Sequence, residues 1–305
     1  MLYESLNPRE ANARETVLAA AKLLERHSIS SSQVSWKVEL ERAIELLGNS
    51  PRHHDVVRAL RRLILATGEK HTLYLSAKTY QELISSEPAG KSSIGSIEPL
   101  DSEIPIIRLE RYMVMNAEVS RREATAFRMK ILRALEDSKC GVIVDLTRNT
   151  GGNLYAMLEA IAPLLPSTPL GYHLDNSGVR AAIVTPEGSK KGNGGDTPIA
   201  VISGSSTGSS GEYTLVALRS AAKVRTFGKP TAGLTTGNVP FELPNGGAIA
   251  ITTSRLLDSR GMEVTGAVEP DQFERDYGSA RHAAAAWLRS LCVARQPASQ
   301  NRGAP

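Results

Sequence analysis

One stretch constrains the fold more than any other: residues 198–237, PIAVISGSSTGSSGEYTLVALRSAAKVRTFGKPTAGLTTG. Ile199 to Ile202 is a short apolar run rich in β-branched residues, the pattern of a buried strand. Ser203 to Gly211 contains only Ser, Gly and Thr. Leu215, Val216, Leu218 and Ala222 then recur as one face of a helix. A strand, a small-residue turn and a helix put the turn at a helix N-terminus, where unpaired N–H groups and the positive end of the dipole gather. A serine there can stand exposed beside donors able to hold a developing oxyanion. A Ser/Gly loop that only caps a helix has the same composition, so the neighbouring stretches must decide.

A second unit of this kind is CGVIVDLTRNTGGNLYAMLEAIAPLL, Cys140 to Leu165. Gly141 to Leu146 reads as a buried strand, Asn149 to Asn153 as a turn, and Leu154 to Leu165 as a helix. The adjacent Gly151 and Gly152 suit a close backbone approach to a ligand or oxyanion. The turn lacks the G-K-[ST] of a P-loop and the full G-x-G-x-x-G of a dinucleotide fold, so phosphate binding is not read here.

Upstream, helical spacing recurs from about 10 to 66 through Val17, Ala20, Ala21 and Leu24, then Val38, Leu40, Ile44 and Leu47, then Val56, Val57, Leu60, Leu63 and Ile64. Turn signals at Ser28 to Ser32 and Gly48 to Pro51 divide it into three helices, with Trp36 as a packing anchor. A short strand follows at Thr72 to Leu75, with His71 at the junction; imidazole is the side chain best poised near neutral pH. Residues 77–103, rich in Ser, Glu and Pro, read as a linker. Ile104 to Leu109 reads as a strand and Val119 to Leu135 as an amphipathic helix. Gly171 to Thr197 alternates weakly and ends in a Gly/Lys-rich loop, read as an exposed hairpin tip. Val239 to Leu243 and Ala248 to Thr253 form a hairpin around Pro244 to Gly247. Glu263 to Pro270 is a loop and Ala280 to Val293 a last helix with Trp287 inward. The expected division is a helical domain at 1–76, a linker at 77–103, a core at 104–292 and a polar tail at 293–305.

Composition excludes several classes. With 305 residues, 41% hydrophobic and 22% charged, the chain is an ordinary globular one. The net charge of +4 is spread among interspersed acids and bases, without a basic stripe for nucleic acid. No run reaches the length of a membrane span, and the first residues lack a secretory h-region; a soluble, cytoplasmic protein is expected. Cys140 and Cys292 have no metal-ligand spacing. Cys140 reads as buried structure, and no disulfide framework is indicated.

Taken together, GVIVDLTRNTGGN at 141–153, AVISGSSTGSSGEYTLVAL at 200–218, TFGKPTAG at 226–233 and GAVEPD at 266–271 resemble one family: the S41 serine peptidases, also called tail-specific or C-terminal processing proteases. EKHT at 69–72 resembles the family's histidine motif. The likeness covers roughly residues 12 to 290. It is strongest to the branch with tricorn core protease and interphotoreceptor retinoid-binding-protein repeats. It implies an α/β fold, a crotonase- or ClpP-like core of repeated ββα units with an N-terminal helical domain. The span at 77–103 is too short for the PDZ domain that many members carry.

The resemblance also implies roles. The family nucleophile stands three residues before the helix-starting Glu, which is Ser209 before Glu212, with Ser206 and Ser210 as rivals. The oxyanion hole would be the N–H of Ser210 with that of Gly151 or Gly152. Two bases remain open. The string TFGK ends at Lys229, matching a Ser/Lys pair. The gap-free alignment instead sets Leu234 where the family has its catalytic lysine, and leaves His71 as base. The tricorn-like branch orients its histidine through a serine and a glutamate; Lys70 stands in place of that serine, and Glu263 lies near the glutamate position. The function implied is a serine endopeptidase acting on a peptide or protein through an acyl-enzyme, with no cofactor or metal, no nucleic acid and a possible oligomer. The alternatives are a catalytically inactive binding protein on the same fold, for a hydrophobic ligand or peptide, and a crotonase-like acyl-CoA enzyme.

Overall fold

The computed structural model describes residues 8–85, 93–167, 169–185 and 197–295. The elements in chain order are helices α1 (Pro8–His27), α2 (Trp36–Glu45) and α3 (His53–Ala66), strand β1 (Leu73–Leu75), α4 (Ala77–Ile84), β2 (Gly95–Pro99), β3 (Pro105–Leu109), α5 (Ala117–Asp137), β4 (Val142–Asp145) and α6 (Leu154–Ala160). They continue with β5 (Gly171–Asp175), β6 (Arg180–Ile183), β7 (Ile199–Ser203), α7 (Ser210–Leu218), β8 (Val224–Gly228), β9 (Thr236–Glu242), β10 (Ala248–Asp258), β11 (Gln272–Phe273) and α8 (Tyr277–Arg295). This is the mixed α/β architecture expected.

The chain divides into two units, neither of them continuous: residues 1–89, 173–181 and 236–256 in the first, the remainder in the second. In the first, α1, α2 and α3 close over Val17, Ala20, Leu24, Leu60 and Leu63 and pack onto Leu243, Ile249 and Ile251. The helical periodicity is thus completed by a β10 whose residues from Ala248 to Thr252 are all buried. β10 pairs antiparallel with β1, Tyr74 opposite Ile249, and with β9, Phe241 opposite Ile249. The strand order of that sheet is β1-β10-β5-β6, with β9 also on β10.

The second unit is built on a six-stranded sheet in the order β11-β8-β7-β4-β3-β2. All neighbours are parallel except β2, which runs antiparallel to β3 at the edge. Ile106, Ile143, Ala200, Ile202 and Phe227 bury one face against Ala284 and Leu288 of α8. The alternate residues Ile107, Val142, Val144, Ile199 and Val201 are also buried. Burial on both faces is why these strands read as unbroken apolar runs.

Three expectations need correction. Residues 77–103 are more than a linker: α4 starts on Ser76, whose hydroxyl accepts the Thr79 N–H at 3.2 Å, and β2 extends the sheet. An edge strand half open to solvent carries polar residues that hide its alternation. Cys140 is indeed buried, but it forms a disulfide with Cys292 across 152 residues of sequence, a pairing that spacing cannot reveal. The hairpin turn between β5 and β6 falls at Asp175–Val179, while the Gly/Lys-rich stretch 186–196 and the tail beyond Arg295 lie outside the described residues.

Candidate active site

Ser209 is the only non-glycine residue with positive φ among the described residues, at φ 52° and ψ −121°. A side chain in that region is strained by about 1–3 kcal/mol unless its surroundings hold it there. They do so from several sides. Gly208 N–H donates to the carbonyl of Asn149 (3.0 Å), and Ala232 N–H to the carbonyl of Thr207 (2.8 Å). Thr207 Oγ1 donates to the carbonyl of Leu146 (2.8 Å) and accepts the Gly204 N–H (3.0 Å). The Ser209 N–H donates to Glu212 Oε2 at 2.8 Å. The serine therefore caps α7 half-buried, its main chain fixed by the loop after β4 and by the segment 231–234.

The two glycines of that loop meet the serine differently. A Cβ on Gly151 would stand 2.8 Å from Ser209 Cβ, so the serine turn passes too close for any residue but glycine at this point. Its N–H is taken by Asn149 Oδ1 at 3.0 Å. Gly152, at φ +128°, lies against the carbonyl of Tyr112, 1.9 Å from where a Cβ would stand. Its carbonyl accepts the Ser210 hydroxyl at 2.6 Å. Among the described residues, no hydrogen bond engages the N–H of Gly152 or the first-turn N–H of Ser210. Asn149 is fully buried, its Nδ2 directed at Met157 Sδ (3.4 Å). Asp145, below the loop, accepts the Thr147 N–H (2.9 Å) and Oγ1 (2.7 Å) and is paired with Arg108 Nε (2.9 Å). Arg108 also reaches Glu98 and the Tyr277 hydroxyl, and Asp145 beside it raises the guanidinium's pKa further.

Ser209, Ser210, Gly151 and Gly152 are thus brought together in the second unit. Ser206, a rival nucleophile, is exposed, and Ser210 is buried with its hydroxyl engaged. Lys229 is exposed; its N–H donates to the Ser203 carbonyl (3.1 Å), and its own carbonyl accepts the Ser203 hydroxyl (2.9 Å). Leu234 Cδ1 lies 3.7 Å from where a Cβ on Gly208, the residue before Ser209, would stand. Glu263 is exposed, in an isolated bridge with Leu257.

His71 belongs to the first unit, buried between β1 and the turn before it. Glu69 organises that turn, accepting from Ser28 Oγ (2.6 Å), Ser30 N–H (3.1 Å) and Thr72 Oγ1 (2.5 Å). The His71 carbonyl accepts from Asn238 Nδ2 at 3.0 Å. His71 Nδ1 stands 2.9 Å from the carbonyl oxygen of Thr236. Burial lowers the pKa of the ring, and the bond to Thr236 opposes that fall. Lys70, next to it, is exposed.

Four site residues were not singled out from the sequence: Asn149, Glu212 as a ligand of the turn, Asp145 and Thr236. Only Glu212 had a readable signal, since S-x-x-E is a capping-box pattern. Among the described residues no cluster of side chains could hold a metal, and no helix is long and apolar enough to cross a membrane.

The chain is 24% identical over 286 residues to a nisin-resistance protein of Lactococcus lactis subsp. lactis, covering 90% of this chain and 86% of that protein. Its fold is similar to a lipoprotein from Streptococcus agalactiae, with a TM-score of 0.79, 24% identity, and coverage of 95% of this chain and 100% of the other. It is also similar to the photosystem II D1 C-terminal processing protease, at TM-score 0.58 and 14% identity over 88% and 96% of the two chains. The model of peptidase family S41 matches residues 104–273, which hold the strained serine, its glycine loop and the sheet beneath them, and the chain belongs to that family.

Proposed function

We propose that the chain is a serine endopeptidase with Ser209 as nucleophile and His71 as base, acting through an acyl-enzyme. One observation carries this reading: Ser209 is held at φ 52° at the start of α7, near two N–H groups, of Gly152 and Ser210, that no hydrogen bond among the described residues engages. A serine kept strained next to unused donors fits attack on a carbonyl whose oxygen turns toward those donors. Of the two glycines, Gly152 is the better donor, because Asn149 takes the N–H of Gly151. The Thr236 carbonyl can only accept, so Nδ1 of His71 carries the proton and Nε2 keeps its lone pair. His71 takes the hydroxyl proton of Ser209 as the bond to the acyl carbon forms, and returns it to the leaving amine. Thr236 supplies the orientation that a serine–glutamate relay supplies elsewhere, so Glu263 is not required. Leu234 in the lysine's place and the exposure of Lys229 support the histidine over a Ser/Lys pair.

The substrate class is a peptide or protein. The likeness to a nisin-resistance protein makes nisin the first peptide to try, with its digestion followed by mass spectrometry. The mechanism is tested with a fluorophosphonate probe on wild type, Ser209→Ala, His71→Ala, Lys229→Ala and Glu263→Gln. Labelling lost in the first two variants and kept in the last two is expected. Loss in Lys229→Ala with His71→Ala still labelled would assign the base to the lysine. A folded wild type that takes no label would leave a binding protein on a peptidase fold.

A further inference from the structure

Glu212 is fully buried and has no cationic partner among the described residues, yet its carboxylate is saturated. Oε2 accepts the N–H groups of Ser209 and Leu234, each at 2.8 Å. Oε1 accepts the Gly233 N–H at 2.8 Å and the Thr231 hydroxyl at 2.5 Å. Thr231 Oγ1 in turn accepts the Val268 N–H at 2.7 Å, so its own hydrogen points at the carboxylate. Burial raises the pKa of this carboxyl, and the bonds from Thr231, Gly233, Ser209 and Leu234 oppose that rise; all four neighbours are donors, and an ionised carboxylate offers an acceptor to each. The side chain also sits in the first turn of α7, where the dipole favours a negative charge. A plain helix cap needs one of these bonds; the other three fix the segment 231–234 to the same group that holds the serine.

We infer that Glu212 is a positioning residue that keeps Ser209 in its left-handed turn by tying the serine N–H to the 231–234 segment through one carboxylate. The inference rests on Ser209 being the nucleophile only for its kinetic consequence; the geometric role stands apart from it. With the serine N–H held, Oγ is carried to a set place and the next N–H, of Ser210, is left for the oxyanion. Glutamine at 212 has the same shape and the wrong polarity. Either orientation of its amide turns an NH2 group onto two donors, releasing Ser209 and Leu234 in one case and Thr231 and Gly233 in the other.

The test uses the full chain as wild type, Glu212→Gln, Thr231→Val and Ser209→Ala, with fluorophosphonate inactivation resolved into kinact and KI, and thermal melting alongside. A displaced nucleophile loses on the order of a hundredfold in rate. Glu212→Gln is therefore expected to melt cooperatively and to show kinact lower by about that factor with KI unchanged. Thr231→Val, which removes one donor of the four, should fall by roughly tenfold, again in kinact alone. A folded Glu212→Gln with wild-type kinact overturns the inference. If Glu212→Gln fails to fold, Thr231→Val decides in the same way. If wild type takes no label, or Ser209→Ala still does, the nucleophile assignment has failed, and a melting cycle decides the positioning role. Ser209→Gly should raise the melting temperature of wild type by relieving strain, and raise that of Glu212→Gln or Thr231→Val less. Equal gains in both backgrounds overturn the inference.

Discussion

His71 Nδ1 lies 2.9 Å from the carbonyl oxygen of Thr236 and 3.1 Å from its hydroxyl, so the ring is anchored through that nitrogen, and the proposed base is Nε2. Burial lowers its pKa below the usual value of about 6.5. The ring is then neutral down through that pH and gains a proton only below it. Inactivation by fluorophosphonate is expected to be flat from about pH 8 to about 6.5 and to decline only on the acid side of that range. Stability follows the same sign: between about pH 6.5 and the lowered pKa the unfolded chain binds the extra proton, so stability present above the window is lost on descending through it. A rate profile whose rising limb lies well above neutrality would instead assign the base to an amine.

Leu234 Cδ1 lies 3.7 Å from where a Cβ on Gly208 would stand, next to Ser209, and the gap-free alignment sets this residue where the family has its catalytic lysine. The double variant His71→Ala with Leu234→Lys is expected to recover labelling that His71→Ala alone has lost. The recovered rate should rise toward alkaline pH, since the amine must be neutral to accept a proton; partial burial lowers its pKa and helps. A double variant that folds as well as His71→Ala and labels no faster would mean that residue 234 is not the lysine's equivalent.

Gly152 carries a stronger steric argument than a positive φ alone. An alanine Cβ would be 1.9 Å from the Tyr112 carbonyl, main chain that cannot swing aside. Gly152→Ala is expected to cost about 3 kcal/mol in urea unfolding and to slow labelling on the order of a hundredfold, because the N–H proposed to hold the oxyanion moves with the turn. Gly48, at φ +62° with nothing within 4 Å of the added methyl, is the control. Its alanine variant should cost only about 1 kcal/mol and leave labelling unchanged.

Much of this was legible in the sequence because two strand–turn–helix units carry their own punctuation. Ile199 to Ile202 and Val142 to Val144 are buried on both faces and appear as plain apolar runs. One glycine in each turn stands where a backbone passes too close for a Cβ: Gly152 against the Tyr112 carbonyl, 1.9 Å from where its Cβ would be, and Gly211 against the Asn149 carbonyl, at 2.5 Å. β2 was not legible, because an edge strand needs only one apolar face and Gly95 to Pro99 includes Ser96 and Glu98. Nor were Asn149 and Thr236: an amide that holds a glycine N–H and a carbonyl that holds an imidazole are tertiary facts with no periodicity. The interleaved division was equally hidden, since residues 236–256 join the first unit through the packing of Ile249 and Ile251 in the helical core and the pairing of β10 with β1.

The Cys140–Cys292 bridge leads to the last prediction. It closes a loop of 152 residues and ties the start of β4 to the end of α8, whose Ala284 and Leu288 cover one face of the sheet. Loop-closure entropy for that length sets an upper limit of about 5 kcal/mol, and measured bridges give about 2–4. Cys292→Ser, or wild type in dithiothreitol, is expected to unfold at lower urea by an amount in the measured range. Both treatments should fall together, since the serine leaves Cys140 buried in the core. The slope of the transition should rise in the reduced protein, because the uncrosslinked unfolded chain exposes more surface. Labelling of Ser209 should survive at low denaturant, because neither cysteine touches the nucleophile turn. Such bridges persist in oxidising surroundings. Thiol trapping of the protein taken directly from its native cells is expected to find Cys140 and Cys292 joined; both thiols free in every molecule would contradict the bridge.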